Sequence, residues 1–583
     1  MTRGEPAQNG LGREGGEQSV PFGDQCLSFY LQIGECLLES RDVAGRQTRL
    51  FAIDVVADGG VTLRVLIDRA VVLEFGSHLT CLLLELGDLL VVPKQPSMNP
   101  FQTGLSVSPG VAYSLHRPYT CTAASLNAQD VAGVTELADV PDSKSGDPLD
   151  RVGSSPTSGT DERYRQPPLR TAMIDVMTRQ AILPDRVFDS VTGVMAENKA
   201  VIIEDGMIIS VESWAAAENP TRLEGITILP GLIDVHTHLA MPLDDGQGFA
   251  SMVTRNSADD ALIGVKHAGE TIRAGFTTVR DLGCWRAFTD VALRDAIDAG
   301  WVTGPRMACA GAFVTSPGGG GDITGLAVDV DEVLPKELRF GVTSGVDQMR
   351  SNIKQILRYG ADFIKILATG AVLTEGTNPG APEFTEDELV AAVETTAEAG
   401  TYVAAHAHGT EGIKRAVRAG VRSIEHGSLL DDEAIELMVE NGTFLVADLY
   451  DGDYILENGP AMGYSQEVLR KTEMTNDAQR LGFTKALDSG VKVAYGTDAA
   501  VYPHGNNAVQ LPYYVKYGLT AAQAIQSATR WAAELMGWED QVGSLNPGTH
   551  ADLIGVRGNP LDDVAILGEV SAVMKGGEWV VAP

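Results

Sequence analysis

From Ala181 to the C-terminus, two hydrophobic periods take turns along the chain. Short apolar runs bounded by glycine and polar residues read as strands buried on both faces. They are GLIDVHTHL, FTTVRDLG, RMACAGAFV, FIKILATG, YVAAHAHG, SIEHG, TFLVADLY and VKVAYGTD. Between several of them apolar positions recur at the spacing of an amphipathic helix. TEDELVAAVETTAEAG, from Thr385 to Gly400, opens on a Thr cap and stops at a glycine, and GTEGIKRAVRAG and DDEAIELMVENG repeat that design. Eight strands alternating with helices predict an α/β fold, a (β/α)8 or TIM barrel over residues 229–540. Chemistry in such a barrel gathers at the C-terminal ends of its strands. KAVIIEDGMIISVES, from Lys199 to Ser213, reads as a hairpin about an Asp-Gly turn. Short strands of the same kind recur near the C-terminus, so residues 173–228 and 541–583 are expected to form a small β-sandwich domain.

Before residue 170 this order is lost. DVPDSKSGDPLDRVGSSPTSGTDERYRQPP is too rich in Ser, Pro, Gly and Asp to bury the surface that would offset ordering, so roughly 120 to 170 reads as a disordered linker. Residues 1–172 are therefore expected to be an extension, largely irregular. AGVTELADVPDSKSG, from Ala132, also resembles a peptide translated through a transfer-RNA gene. On that reading the natural protein begins at Met173 or Met177; on the other, residues 20 to 110 hold a small accessory domain.

Composition narrows the function. The 583 residues exceed one ordinary domain, and 44% of them are apolar, enough for a large core. Lys and Arg total 44 against 78 Asp and Glu, a net charge of -34. Such a surface repels phosphates, which argues against nucleic acid and anionic membranes as partners. The most apolar early run, CLLLELGDLLVV from Cys81, is too short to span a bilayer and carries Glu85 and Asp88. The first residues lack the apolar core of a signal peptide, so a cytoplasmic location is expected. Six cysteines without CxxC spacing give neither a disulfide framework nor a thiolate zinc site.

The chemistry sits at the strand ends. His236 and His238 alternate on the first strand, so both face the same side. Two adjacent imidazoles gain little as packing but suit a metal. His406 and His408 close the fifth strand, His426 the sixth and Asp498 the eighth, while Lys365 lies inside the apolar FIKIL. Five of the ten histidines thus converge on one rim. Imidazole and carboxylate together ligate borderline ions such as zinc. Burial depresses a lysine pKa, and a neutral amine can add carbon dioxide to give a carbamate able to bridge two metals. The alternative for Lys365 is a buried lysine paired with an acid. Asp498 can bind a metal and accept the proton of a water activated there.

DVHTHL, FIKIL, AAHAHG, SIEHG, YGTDA and GSLNPGTHADLIGV, spread over residues 180–583, resemble the amidohydrolase superfamily. Within it they are similar to the imidazolonepropionase-like metal-dependent hydrolases that include Xaa-Pro, Xaa-Arg and Xaa-Lys dipeptidases. The resemblance implies two divalent ions, zinc by preference. His236, His238 and Asp498 would hold the more buried one, His406 and His426 the other, and carboxylated Lys365 would bridge them. His408 would bind or polarise the scissile carbonyl, a bridging hydroxide would attack it, and Asp498 would pass the proton to the leaving amine. Family members that act as imidazolonepropionases or deaminases use one metal and lack this lysine, so Lys365 favours amide hydrolysis by two. In TSPGGGGDITG, Gly320 stands where relatives often carry histidine; the loop reads either as a close approach to a ligand or as a flexible segment.

ADLYDGDYI places Asp448, Asp451 and Asp453 near the rim and resembles dipeptidases that remove a C-terminal Arg or Lys. A carboxylate there would pair with the basic side chain; the alternative is a solvated acidic loop. Tyr450 and Tyr502 either touch substrate or pack. The expected protein is a dinuclear metal-dependent dipeptidase favouring C-terminal Arg or Lys, acting on small-molecule or dipeptide substrates and forming a homo-oligomer as relatives commonly do. Alternatives are the same centre acting on N-acyl amino acids, mycotoxin-like aryl amides or cyclic amides, and an inactive scaffold, which the presence of all six ligand positions opposes. N-terminal sequencing of the native protein should find Met173 or Met177 at its start; a mature chain containing residues 1–170 sinks that expectation.

Overall fold

The computed structural model describes residues 179–216, 220–241 and 254–583, together with six strands between residues 29 and 93. The chain divides into two units, Met1–Val152 and Gly153–Pro583. In the first, Phe29–Arg41, Gln47–Ala57, Val61–Ile67 and Leu90–Pro93 form an antiparallel sheet in that order, and Ala70–Phe75 pairs with Leu79–Leu84. The linker expected at residues 120–170 lies outside the described residues.

The second unit has a TIM-barrel-like α/β fold. Leu232–Thr237, Phe276–Asp281 and Arg306–Cys309 run parallel. Phe313–Val314, Ile364–Leu367, Val403–Ala407, Ser423–His426 and Phe444–Val446 form a second parallel series. Seven of the eight expected runs therefore contain an assigned strand. The eighth, VKVAYGTD, is threaded between the last strand and the first: Val493 bridges Leu445, Ala499 bridges Thr237, and Val235 N donates to Tyr495 O at 2.9 Å. Helices such as Glu386–Glu398, Thr410–Ala419 and Asp432–Asn441 fall between strands as their periodicity requires. Thr385 caps the first of these in a reciprocal box with Glu388, and Asp431 caps the third through Ala434 N. Ile364, Ile366, Ala405, Ile413 and Val417 are fully buried where helices cover the sheet.

The segments flanking the barrel meet as one sheet. Arg179–Asp189 pairs in parallel with Thr221–Pro230, whose other edge pairs antiparallel with Leu553–Arg557, joining the two ends of this unit. The path continues through Val570–Lys575 to Glu578–Val581, and on the other side through Lys199–Glu204 to Met207–Ser213. The expected hairpin is there, turning through Asp205 and Gly206, both at positive φ. Together they make one eight-stranded sheet, seven strands along this path and Val194–Glu197 paired beside it with Arg179–Asp189. No helix among the described residues is long and apolar enough to cross a membrane.

Two packing details set the site. Asp234 is fully buried and takes Thr497 N at 3.1 Å, Thr497 Oγ1 at 2.6 Å, Asn507 Nδ2 at 2.8 Å and His236 N at 3.1 Å. Burial still pushes its carboxyl up to about 6. Beside it, a Cβ on Gly496 would stand 2.3 Å from Val446 Cγ1 and 2.7 Å from His236 Cβ, so only glycine lets these strands approach. The glycine-rich loop closes on a side chain of the protein itself. Glu383 accepts from Thr315 Oγ1, Ser316 N and Oγ, and Gly320 N, and a Cβ on Gly319 would fall 2.1 Å from its carboxylate.

Gly496→Ala should destabilise the fold by about 1–3 kcal/mol and loosen the site, read as a lower Tm by thermal unfolding. Burial pushes Glu383 up to about 7 from its ordinary 4.5, so its folded form binds the proton more tightly than the unfolded chain does. That stability is present at low pH and is lost as pH rises through about 7. The Tm of the wild type minus that of Glu383→Gln should therefore fall between pH of about 5 and about 7.5. A difference that stays constant across that range contradicts this assignment.

Candidate metal centre

Strand direction brings His236, His238, Lys365, His406, His408, His426 and Asp498 around one cavity of about 390 Å³. His426 is the last residue of its strand, and His236 and His406 are each the last but one of theirs, where side chains leave the packed interior. His426 and Asp498 hold left-handed backbone, φ 70° and 56°, at the point where the chain turns out of the barrel. Such conformations cost energy in ordinary residues and persist where the surroundings dictate them.

Each imidazole has a partner for one ring nitrogen. His238 Nδ1 lies 2.7 Å from Gly283 O, His426 Nδ1 2.7 Å from Asp448 Oδ2, and His408 Nδ1 2.7 Å from Ser428 Oγ. His406 Nε2 is 3.3 Å from Gly370 O, and His236 Nδ1 is 3.3 Å from Glu425 Oε2. The other nitrogens are left for the cavity. His236 Nε2 and His238 Nε2 both stand 3.2 Å from Asp498 Oδ1. Ligand atoms of these three lie within 4.8 Å of one another, as do those of His406, His408 and His426, and those of His426, Asp448 and Asp498. Tethered imidazoles with one free nitrogen each, converging with a carboxylate, are the donor set a borderline divalent ion takes. The residues present fit such ions.

The charges agree with that fit. Burial and the neighbouring rings hold His406 and His408 well below the ordinary imidazole value, so both are neutral donors. Burial raises Asp498, but His236 and His238 outweigh it and keep the carboxylate ionised. Burial lowers His236, yet Asp498 and Glu425 raise it overall, so the centre favours positive charge. Lys365 is 3% exposed, and burial brings its amine down to about 8. Beneath it Arg280 and Glu425, both fully buried, pair at 2.7 Å, and Arg280 Nε also donates to Val235 O at 2.7 Å.

The acidic residues after the seventh strand are placed differently from expectation. Asp448 is buried, with one oxygen on His426 Nδ1 and the other on Gln479 Nε2 at 2.6 Å, so it orients a ring. Asp451 lines the cavity, and burial together with Asp448 pushes its carboxyl well above the usual range. Asp453 is taken by Arg480 at 2.7 Å and by Asn476 and Tyr513. Neither Asp453 nor Tyr450 is among the residues lining the cavity; Tyr450 packs edge-on against Tyr502, which is fully buried. The expectation of a free carboxylate for Arg or Lys is thus corrected: each acid is already neutralised or shared. The glycine-rich loop does reach the cavity, through Gly320 and Gly321.

Sequence reading overlooked Arg280, Glu425, Ser428 and Gln479. The first two carried a signal, a charge inside an apolar strand run, the same mark that singled out Lys365. Gln479 lies on the long helix Gln466–Asp488, where nothing in the helical pattern distinguishes it.

Residues 227–580, which contain every one of these ligand-type side chains, match the family model described as the amidohydrolase family. Ochratoxinase of Aspergillus niger is 32% identical over 415 residues, covering 66% of this chain and 83% of its own. Imidazolonepropionase of Nocardia farcinica is 26% identical over 391 residues, covering 62% of this chain and 86% of its own. The crystal structure of a Xaa-Pro dipeptidase with methionine bound in its active site aligns with a TM-score of 0.66 at 35% identity, covering 70% of this chain and 100% of that one. A match across most of the chain, joined to this ring of strand-end histidines, shows that the chain belongs to the amidohydrolase family and is a hydrolase of carbon–nitrogen bonds.

Proposed function

We propose that this protein is a two-metal amide hydrolase that releases the C-terminal residue of dipeptides bearing apolar side chains. On this reading residues 229–540 are a (β/α)8 catalytic barrel, carried beside a small β domain from 173–228 and 541–583. One observation carries the proposal: five tethered imidazoles and Asp498 surround a buried lysine whose amine is brought down to about 8. His236, His238 and Asp498 would hold one ion, His406 and His426 the other. Bound there, two divalent ions, zinc by the donor set, supply Lewis acidity and lower the pKa of water.

The protein's own groups supply the rest. A neutral Lys365 amine that attacks carbon dioxide forms a nitrogen–carbon bond and releases one proton, so the neutral side chain becomes a carbamate anion. Asp498, kept ionised, takes a proton from the attacking water and delivers it to the leaving amine nitrogen. With the Ser428 hydroxyl donating to Nδ1, neutral His408 carries its proton on Nε2 and donates it to the scissile carbonyl. Asp448 and Gln479 keep the His426 ring in one orientation.

The walls favour apolar substrates. Met241, Trp285, Phe313, Leu373, Ile455 and Val468 line the cavity; of its acids Asp448 is held by His426 and Gln479 and Asp451 by Asp448, while Glu375 stands exposed. Trp285 and Phe313 meet edge to face at 5.4 Å, which favours a second reading, an aryl amide of the kind ochratoxinase is named for.

Protein purified without chelators should hold about two metal ions per chain, and should cleave apolar dipeptides at least about ten-fold faster than Xaa-Arg or Xaa-Lys, since a charged side chain set against the apolar walls is penalised. Asp498→Asn should lower kcat by on the order of 10²–10⁴-fold. Metal analysis and a panel of dipeptides, N-acyl amino acids and aryl amides check this. A two-metal protein inert towards the whole panel would overturn the proposal.

A further inference from the structure

One wall of the cavity is polar in an unusual way. Thr472, Thr475 and Asn476 lie on one face of the helix Gln466–Asp488, all line the cavity, and all are at most 7% exposed. The hydroxyl proton of Thr472 goes to Val468 O at 2.9 Å, and that of Thr475 to Lys471 O at 3.0 Å. Asn476 Nδ2 donates to Asp453 Oδ1 at 2.9 Å. Asp453 is an acceptor held in place by Arg480 and Tyr513, so the orientation of the Asn476 amide follows from its partner. Its Oδ1 is left buried with no hydrogen-bond partner, beside Gly452, another cavity residue. The two hydroxyl donors and one of the two Asn476 amide hydrogens are spent, and the acceptor Oδ1 is left without a partner. A buried acceptor without a donor costs free energy, which a ligand can recover.

The neighbouring charge has the same sign. Gln479, one turn along the helix, touches Asp448, the carboxylate behind His426. The group that suits this wall has several N–H donors, no acceptor and positive charge. An apolar dipeptide carries two kinds of N–H: that of the scissile amide, which belongs at the metal centre, and its free α-ammonium. Its C-terminal carboxylate, all acceptor, is unsuited to this wall.

We propose that Asn476, with Thr472 and Thr475, forms the subsite for the free α-ammonium of the substrate, and that Asp453 positions the Asn476 amide. This rests on the amide-hydrolase reading above and deepens it: the subsite selects dipeptides over N-acyl amino acids that lack the amine.

The test compares Leu-Phe with 4-methylpentanoyl-Phe, the same molecule without its amine, on the metal-loaded protein. Wild type should favour Leu-Phe in kcat/KM. Asn476→Ala should reduce that preference by about ten-fold or more, the usual size of a lost hydrogen bond to a charged group. Thr472→Val, close to isosteric, should shift it in the same direction and serves if Asn476→Ala does not fold. Tm and the rate on 4-methylpentanoyl-Phe report an intact fold and metal centre. A wild type that cleaves the amine-free substrate as fast as Leu-Phe, or variants that lose equally on both, overturns the subsite and leaves the hydrolase reading standing. A two-metal protein that cleaves neither overturns that reading and the subsite together.

Discussion

The centre depends on a buried carboxylate at its base. Asp234 sits on the first barrel strand and gathers both Thr497 donors and Asn507, so the last barrel segment is pulled against the first. Asp498 is the next residue after Thr497 and stands equidistant from His236 and His238 because of that pull. Without the closure, the two histidines would share a strand with no carboxylate opposite them. The cost is visible in the left-handed backbone of Asp498, which a surface loop would relax. Gly496 completes the arrangement by leaving no side chain between the strands.

Around that closure, burial acts in opposite directions on neighbouring groups. It favours the neutral form of Lys365 and keeps His406 and His408 uncharged, as the proposed metal ligation and carbamate formation would require. Arg280 and Glu425 remain charged at similar depth because each is the other's partner. Glu425 also faces His236, so this pair acts as a rigid support beneath a ligand. A mixture of buried charges of this kind is costly as a core. It makes sense as a preformed site in which little has to reorganise when charge arrives.

Much of the fold was legible because each element satisfied its local rules. Seven of the eight strand runs, the Asp205–Gly206 hairpin and the capped helices all lie where periodicity and turn chemistry put them. The five histidines and Asp498 converge as their strand-end positions required, with Lys365 among them, since such a fold carries every strand end to the same rim. The acidic loop was not legible. ADLYDGDYI shows three carboxylates, and composition is silent on which are free. Asp448 turns to a histidine from another strand, and Asp453 to an arginine on a helix that begins thirteen residues later, at Gln466. The glycine-rich loop was legible in part: Gly320 and Gly321 reach the cavity, but its amides close on Glu383, more than sixty residues downstream.

The sequence by itself determined the architecture, the family and the ligand-type residues, because strand alternation and strand-end histidines are local patterns. The tertiary structure alone decided which polar atoms remain unspent. Hydrogen-bond capacity is finite, and a donor or acceptor used by a distant partner is lost to a substrate. Asp448, Asp451 and Asp453 are spent in this way, and Asn476, unremarkable in the helical pattern, is not. Substrate selection is a matter of such remainders, and they exist only once long-range partners have met.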